Sequence, residues 1–212
     1  MQVTVTSLCP RCSGPLRPPG LMSSSWECAL HGAVPPYTPV LRANGESVRQ
    51  LAARAAVPVW SPLPLLAGWT LAGLARAGDE RHGATATAVA FSGPCPLGGP
   101  ADLVLVAEEP GTGLGARLAG ADGLDAGDVV AGAPDAKVLA GGHPTPLWRV
   151  AGADDRAVFV GEALGVWLWA VLWPPAAELV LLEHVELHDL RHDAHALLEL
   201  PVGAPSTRLG AA

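Results

Sequence analysis

Four residues near the N-terminus have the types and spacing for metal chemistry. Cys9-x2-Cys12 is followed, fifteen residues later, by Cys28-x2-His31. Two ligand pairs, each on a tight turn and separated by enough chain for a hairpin, are how a zinc ribbon closes a tetrahedron with no open coordination position. The expected cofactor is therefore one structural Zn2+, and a closed site of this kind organises the chain without carrying out a reaction. Pro10 stiffens the first knuckle, Gly14 and Gly32 are placed to take a positive φ after each ligand pair, and Trp26 is positioned to screen a thiolate from water. The competing use of these cysteines is a disulfide with one idle thiol. The opening residues lack an apolar secretory segment, so the expected setting is the cytoplasm, where thiols stay reduced.

The remaining chemical candidates are less specific. Cys95, in Ser92-Gly93-Pro94-Cys95-Pro96, has no base in a neighbouring motif and reads as an idle loop cysteine. Gly111-Thr112-Gly113-Leu114-Gly115-Ala116 satisfies a relaxed dinucleotide fingerprint, but Glu108 and Glu109 would set negative charge beside a pyrophosphate, and the region around Asp128 and Asp135 reads as loop. No Gly-Lys-Ser/Thr follows, which excludes a P-loop. His184, His188 and His192 recur every fourth residue, with His195 following and with acidic neighbours Glu183, Glu186, Asp189 and Asp193. The pattern allows a second metal site, although a solvated face is the commoner use of such a run. Asp79 to His82 and Asp154 to Arg156 read as polar turns.

The elements that must position these residues follow from composition and patterning. A chain of 212 residues, 50% hydrophobic and 16% charged, can bury a full core. The net charge of -7 conceals an asymmetry: residues 1–60 carry five arginines against two glutamates, a balance of +3, and the rest carries 8 basic and 18 acidic groups, a balance of -10. An acidic body repels phosphates, so nucleic acid is an unlikely partner and could be met only through the basic N-terminal part.

The chain reads as three parts: a zinc ribbon at 1–34, a linker and short helix at 35–56, and a body at 57–212. Pro35-Pro36-Tyr37-Thr38-Pro39 is a stiff extended connector. Asn44 can cap a helix in which Val48, Leu51, Ala52 and Ala55 form one stripe. Beyond Val57, short apolar runs alternate with Gly/Pro turns: Trp69 to Leu74, Thr85 to Phe91, Asp102 to Val106, Ala136 to Leu139, Leu147 to Val150, Ala157 to Val160 and Val166 to Trp173. Their lengths favour strands, giving an α+β fold in which a small ribbon precedes a mostly antiparallel sheet with a few helices.

Ala157 to Trp173 is apolar except for Glu162, near the lower limit for crossing a bilayer. Gly161 and Gly165 bracket that glutamate, and Trp167, Trp169 and Trp173 alternate with Leu168, Ala170 and Leu172. Two adjacent strands buried on both faces account for this better than a membrane span.

The phrases Cys-Pro-Arg-Cys to Trp-Glu-Cys-Ala-Leu-His-Gly at 9–32, Val-Pro-Val-Trp and Gly-Trp at 57–69, Ala-Gly-Asp-Glu-Arg at 77–81, Ser-Gly-Pro-Cys-Pro-Leu-Gly-Gly-Pro at 92–100 and Gly-Glu-Ala-Leu-Gly-Val-Trp-Leu-Trp-Ala-Val-Leu-Trp-Pro at 161–174 together resemble an uncharacterised actinobacterial family, a domain of unknown function. That resemblance spans nearly the whole chain and implies no activity. Two readings of function follow from the residues. In the first, the chain is a non-catalytic cytoplasmic zinc-ribbon protein that recruits a protein partner. In the second, it is an enzyme or small-ligand binder using loops around Asp79 to His82, Glu108 to Arg117 and His143, and a pocket gathering those residues would favour it.

Overall fold

The computed structural model describes residues 7–21, 23–40, 42–121, 123, 125–193 and 200–210. Twelve strands and two α-helices follow in the order β1 (Glu27–Cys28), β2 (Gly32–Ala33), β3 (Tyr37–Val40), α1 (Gly45–Ala52), β4 (Trp60–Pro62), β5 (Thr70–Asp79), β6 (Gly83–Pro94), β7 (Pro100–Glu108), α2 (Leu114–Ala119), β8 (Ala136–Ala140), β9 (His143–Arg149), β10 (Ala157–Ala163), β11 (Val166–Trp173) and β12 (Glu186–Asp189). The fold is mixed α+β, mostly sheet. Strands β1 and β2 form a small antiparallel pair, and the other ten make one sheet in the order β3-β5-β6-β7-β11-β10-β9-β8-β12-β4. Every pairing in it is antiparallel except β12 with β8.

Each of the seven apolar runs overlaps a strand of this sheet, with Trp69 just before β5 and Val150 just after β9. The pair β10 and β11 is the apolar stretch 157–173 folded back on itself, with Phe159 opposite Ala170 and Val160 opposite Trp169. No helix among the described residues is long and apolar enough to cross a membrane. Strand β11 is buried on both faces. Leu168, Ala170 and Leu172 enter one apolar cluster with Phe91, Leu103, Leu105, Leu147 and Phe159. Trp169, Val171 and Trp173 enter another with Tyr37, Val104, Val106, Leu114 and Leu118. The sheet coils around the first cluster, so that the chain entering β4 returns to β6: Thr87 Oγ1 donates to the Pro58 carbonyl at 2.6 Å, and the Ala56 N–H to the Ala84 carbonyl at 3.0 Å. The second cluster lies on the outer face beneath α2.

Strands β5 and β6 run longer than the expected 69–74 and 85–91. Strand β5 extends through Ala75 to Asp79 and β6 through Gly83, Ala84 and Ser92 to Pro94, stretches whose Ala, Gly, Asp and Pro weaken the strand signal. Ala75, Ala77, Ala86, Ala88 and Ala90 nonetheless line up on the buried outer face, a low floor on which larger residues from elsewhere can sit. The segment 35–39 is extended as expected, but from Tyr37 it is hydrogen-bonded as β3 along β5. The Tyr37 ring is fully buried and its hydroxyl donates to the Leu209 carbonyl at 2.6 Å. Helix α1 begins at the expected cap: the Ser47 N–H donates to Asn44 Oδ1 at 2.8 Å, and Val48 and Leu51 are buried. It ends at Ala52, short of Ala55.

Candidate metal centre and the cavity beside it

The N-terminal hairpin brings Cys9, Cys12, Cys28 and His31 together, with one donor atom from each inside a mutual distance of 4.8 Å. Backbone N–H groups organise both turns in the same way. Those of Arg11 and Cys12, two and three residues on, point to the Cys9 sulfur, and those of Leu30 and His31 point to Cys28. Burial pushes the Cys9 thiol up to about 11 against its two amides. At Cys28 the amides and the His31 ring outweigh the upward push of burial and hold the thiol down at about 6.

The spacing of the donors is informative. Cys9 Sγ lies 3.5 Å and Cys28 Sγ 3.6 Å from His31 Nδ1, and the Cys12 and Cys28 sulfurs are 3.7 Å apart. A disulfide needs sulfurs about 2.0 Å apart, and all four cysteines are free. A tetrahedral ion with metal–sulfur bonds of about 2.3 Å and metal–nitrogen bonds of about 2.0–2.1 Å gives edges of about 3.8 Å between sulfurs and about 3.6 Å from sulfur to nitrogen. The donor set and its edges therefore fit a metal ion, with Nδ1 as the histidine donor.

Two local expectations change. The positive φ after the first ligand pair falls on Ser13, at 56°, and not on Gly14; a Cβ on Gly14 would stand 3.3 Å from the Cys12 sulfur. The apolar cover on Cys9 and Cys28 is Val34 and Leu16. Trp26 instead faces a groove shared with Asp79 and Arg81, because its side chain leaves the hairpin on the side of the β5–β6 turn.

The first knuckle is seated on the glycine-rich turn between β7 and α2. Arg11 donates to the Gly111 carbonyl and, through Nε, to the Thr112 carbonyl at 3.4 Å. Arg117 of α2 reaches back, with Nε donating to the Pro10 carbonyl at 2.8 Å and Nη1 to Ser13 Oγ at 2.7 Å, and stacks on the Tyr37 ring 4.5 Å from its centroid. Each glycine of the relaxed fingerprint has a structural use here. Gly111 and Gly113 take φ of 85° and 81°, and Arg11 Cγ lies 2.8 Å from where a Gly113 Cβ would be.

Sequence reasoning placed Glu108 as an obstacle to phosphate, and its position shows why. The side chain is 3% exposed, and its Oε2 accepts the N–H groups of Leu114 at 2.7 Å and Gly115 at 3.2 Å, which occupies the amides at the start of α2 with the chain's own carboxylate. Burial raises its carboxyl to about 6, opposed by those amides, the Trp169 indole and the Gly113 N–H. A cavity of about 490 Å³ lies between this carboxyl, Trp169, Arg117 and the candidate ligands Cys12 and His31.

The other candidates disperse. Asp79 caps its turn by accepting the N–H groups of Arg81 and His82, each at 2.9 Å, and these bonds, led by that of His82, hold its carboxyl below the usual range. The groove there also gathers His82 and Glu109 to Thr112, whereas His143 starts β9 in the distant β8–β9 hairpin. The Cys95 thiol is buried in a turn. His184 and His188 line different hollows, and His188 is held between Glu186, at 3.4 Å, and Asp193, at 3.2 Å. His192 lies 3.9 Å from Asp189, and His195 is outside the described residues. Among the described residues, Cys9, Cys12, Cys28 and His31 are the one group arranged to hold a metal ion.

No curated protein and no solved structure matches the chain. Residues 3–209 match the family of unknown function DUF6758, and the chain belongs to that family.

Proposed function

We propose that this is a non-catalytic, cytoplasmic protein in which a zinc ion held by Cys9, Cys12, Cys28 and His31 shapes an N-terminal ribbon that recruits a protein partner. The donor edges match a zinc tetrahedron, and three protein thiolates with one imidazole leave no position for a substrate. A thiolate cluster belongs in a reducing compartment. The observation that carries the partner reading is the exposure of large apolar side chains on the ribbon: Leu21 is fully exposed and Leu30 80% exposed. The aromatic row of β11 is interior and offers no contact surface, while on the body Leu97, Leu164 and Leu182 are exposed as well. A pull-down with the intact protein beside a Cys9→Ser/Cys12→Ser variant and a Leu21→Ser/Leu30→Ser variant tests this. A partner captured by wild type and lost with both variants supports it; a partner retained by the leucine variant places recruitment elsewhere.

A second reading, small-ligand binding, is favoured by the cavity that Glu108 and Arg117 share.

A further inference from the structure

The three cysteines of the candidate metal centre are not equally reachable. Cys9 is fully buried and Cys28 is 6% exposed, both covered by Val34 and Leu16. Cys12 is half-buried and, with His31, lines the cavity of about 490 Å³ between the hairpin and the sheet. A small uncharged molecule entering that cavity therefore reaches the Cys12 sulfur before the other two. The Cys28 sulfur stands 3.7 Å from it, close enough to answer a change there. A reachable thiolate with a second thiolate beside it is the arrangement that makes a cysteine a reversible sensor of oxidants.

The same knuckle carries the hairpin's hold on the body. Arg11 donates to the Gly111 and Thr112 carbonyls, and Arg117 donates to the Pro10 carbonyl and to Ser13 Oγ. The hairpin residues in these contacts, Pro10, Arg11 and Ser13, all lie within two positions of Cys12. The hairpin's own apolar cluster is too small to keep that shape once the metal leaves. We propose that Cys12 is a peroxide-reactive thiolate resolved by Cys28, and that their bridge releases the metal and unlatches the hairpin from the β7–α2 turn. It rests on the reading of a zinc-held recruiting ribbon and adds how that ribbon is regulated. The Cys12 thiolate attacks one oxygen of hydrogen peroxide; an S–O bond forms, the O–O bond breaks and hydroxide leaves. The Cys28 thiolate then attacks the Cys12 sulfur, so that an S–S bond replaces the S–O bond and a second hydroxide leaves. Each hydroxide takes a proton from solvent, and the peroxide, having gained two electrons from the two thiolates, ends as two waters. Only Cys9 and His31 then remain as donors, and two donors do not close a tetrahedron. In a reducing compartment, exchange with small thiols reverses the bridge.

The test treats the zinc-loaded full chain, purified under reducing conditions, with hydrogen peroxide in rising steps. Zinc release is read with a metal-sensitive dye, bridges by mass spectrometry of unreduced peptides after thiol alkylation, and docking by hydrogen exchange across residues 9–13 and 111–117. The expected result is one zinc lost per Cys12–Cys28 bridge, faster exchange in both segments, and recovery of all three with dithiothreitol and fresh zinc; Cys95→Ser should behave as wild type. A bridge that includes Cys9, zinc lost with no bridge at all, or a response abolished by Cys95→Ser overturns the assignment of Cys12 and Cys28. So does zinc retained at peroxide levels that oxidise free cysteine. Exchange that stays unchanged after zinc has left overturns the latch. A chain that purifies without zinc overturns the zinc-held ribbon itself, a separate failure that is read before any peroxide is added.

Discussion

Gly115 in α2 lies flat against the indole of Trp169 in β11: a Cβ added to Gly115 would stand 2.3 Å from the ring carbon Cδ1 and from Nε1. The third glycine of the cofactor-like pattern in the sequence is thus a packing residue, small because a tryptophan of the outer core occupies its place. Gly115→Ala should lower stability by about 1–3 kcal/mol, the usual range for overpacking a filled interior, despite the gain in helix propensity. Urea unfolding beside wild type measures it, and an unchanged or higher midpoint would show that Trp169 can move aside.

Trp169 itself is 1% exposed and sits under α2. Trp169→Ala should cost about 3–5 kcal/mol. An unchanged urea midpoint together with an altered oligomeric state would mean that this face of β11 serves a partner and not the core.

Elemental analysis of the purified chain should give one zinc per molecule, with a substantial loss for Cys28→Ser. The hairpin's own apolar cluster is only Cys9, Cys28 and Val34 with Cys12 and Leu16 packed on it. Chelation should therefore unfold the hairpin and leave the ten-stranded sheet intact, read as loss of protease protection confined to the N-terminal residues. A zinc content that Cys28→Ser does not change would remove the assignment.

The Glu108 carboxyl, raised by burial to about 6 from an ordinary 4.5, makes a pH prediction. Between those values the folded chain binds a proton that the unfolded chain has begun to release, so this group makes stability fall as pH rises from about 4.5 to 6. Above that window the buried charge costs about 2 kcal/mol, and below it nothing. Glu108→Gln should flatten this part of the stability–pH curve and raise stability at neutral pH, as measured by denaturant unfolding at several pH values.

How far the sequence announced this depends on where each signal resides. Ligand spacing is local, so Cys9, Cys12, Cys28 and His31 were legible from the chain alone, as were the strands from 157 to 173, whose two-faced burial is written as continuous apolar residues. The edge strand β3 was hidden by Pro36 and Pro39, which read as a connector because neither can donate to a ladder; at a sheet edge one missing donor does little harm. The short strands β4 and β12 owe their pairing to each other, not to local pattern. The cavity was not legible at all. Glu108 and the Gly111 to Ala116 turn were singled out, but nothing local says that Arg117 and Trp169 gather beside them, or that a hairpin 100 residues earlier forms the opposite wall.

That distance along the chain sets an order of events. Cys9 and His31 are separated by only 22 positions, so bringing the four candidate ligands together needs one small loop to close. The seat of the same knuckle is joined through contacts 100 to 107 positions apart, from Arg11 to Gly111 and from Arg117 to Pro10, and these wait until β5, β6 and β7 have paired. The hairpin can thus close on short-range contacts alone, yet its seat on the sheet depends on residues about 100 positions further along the chain.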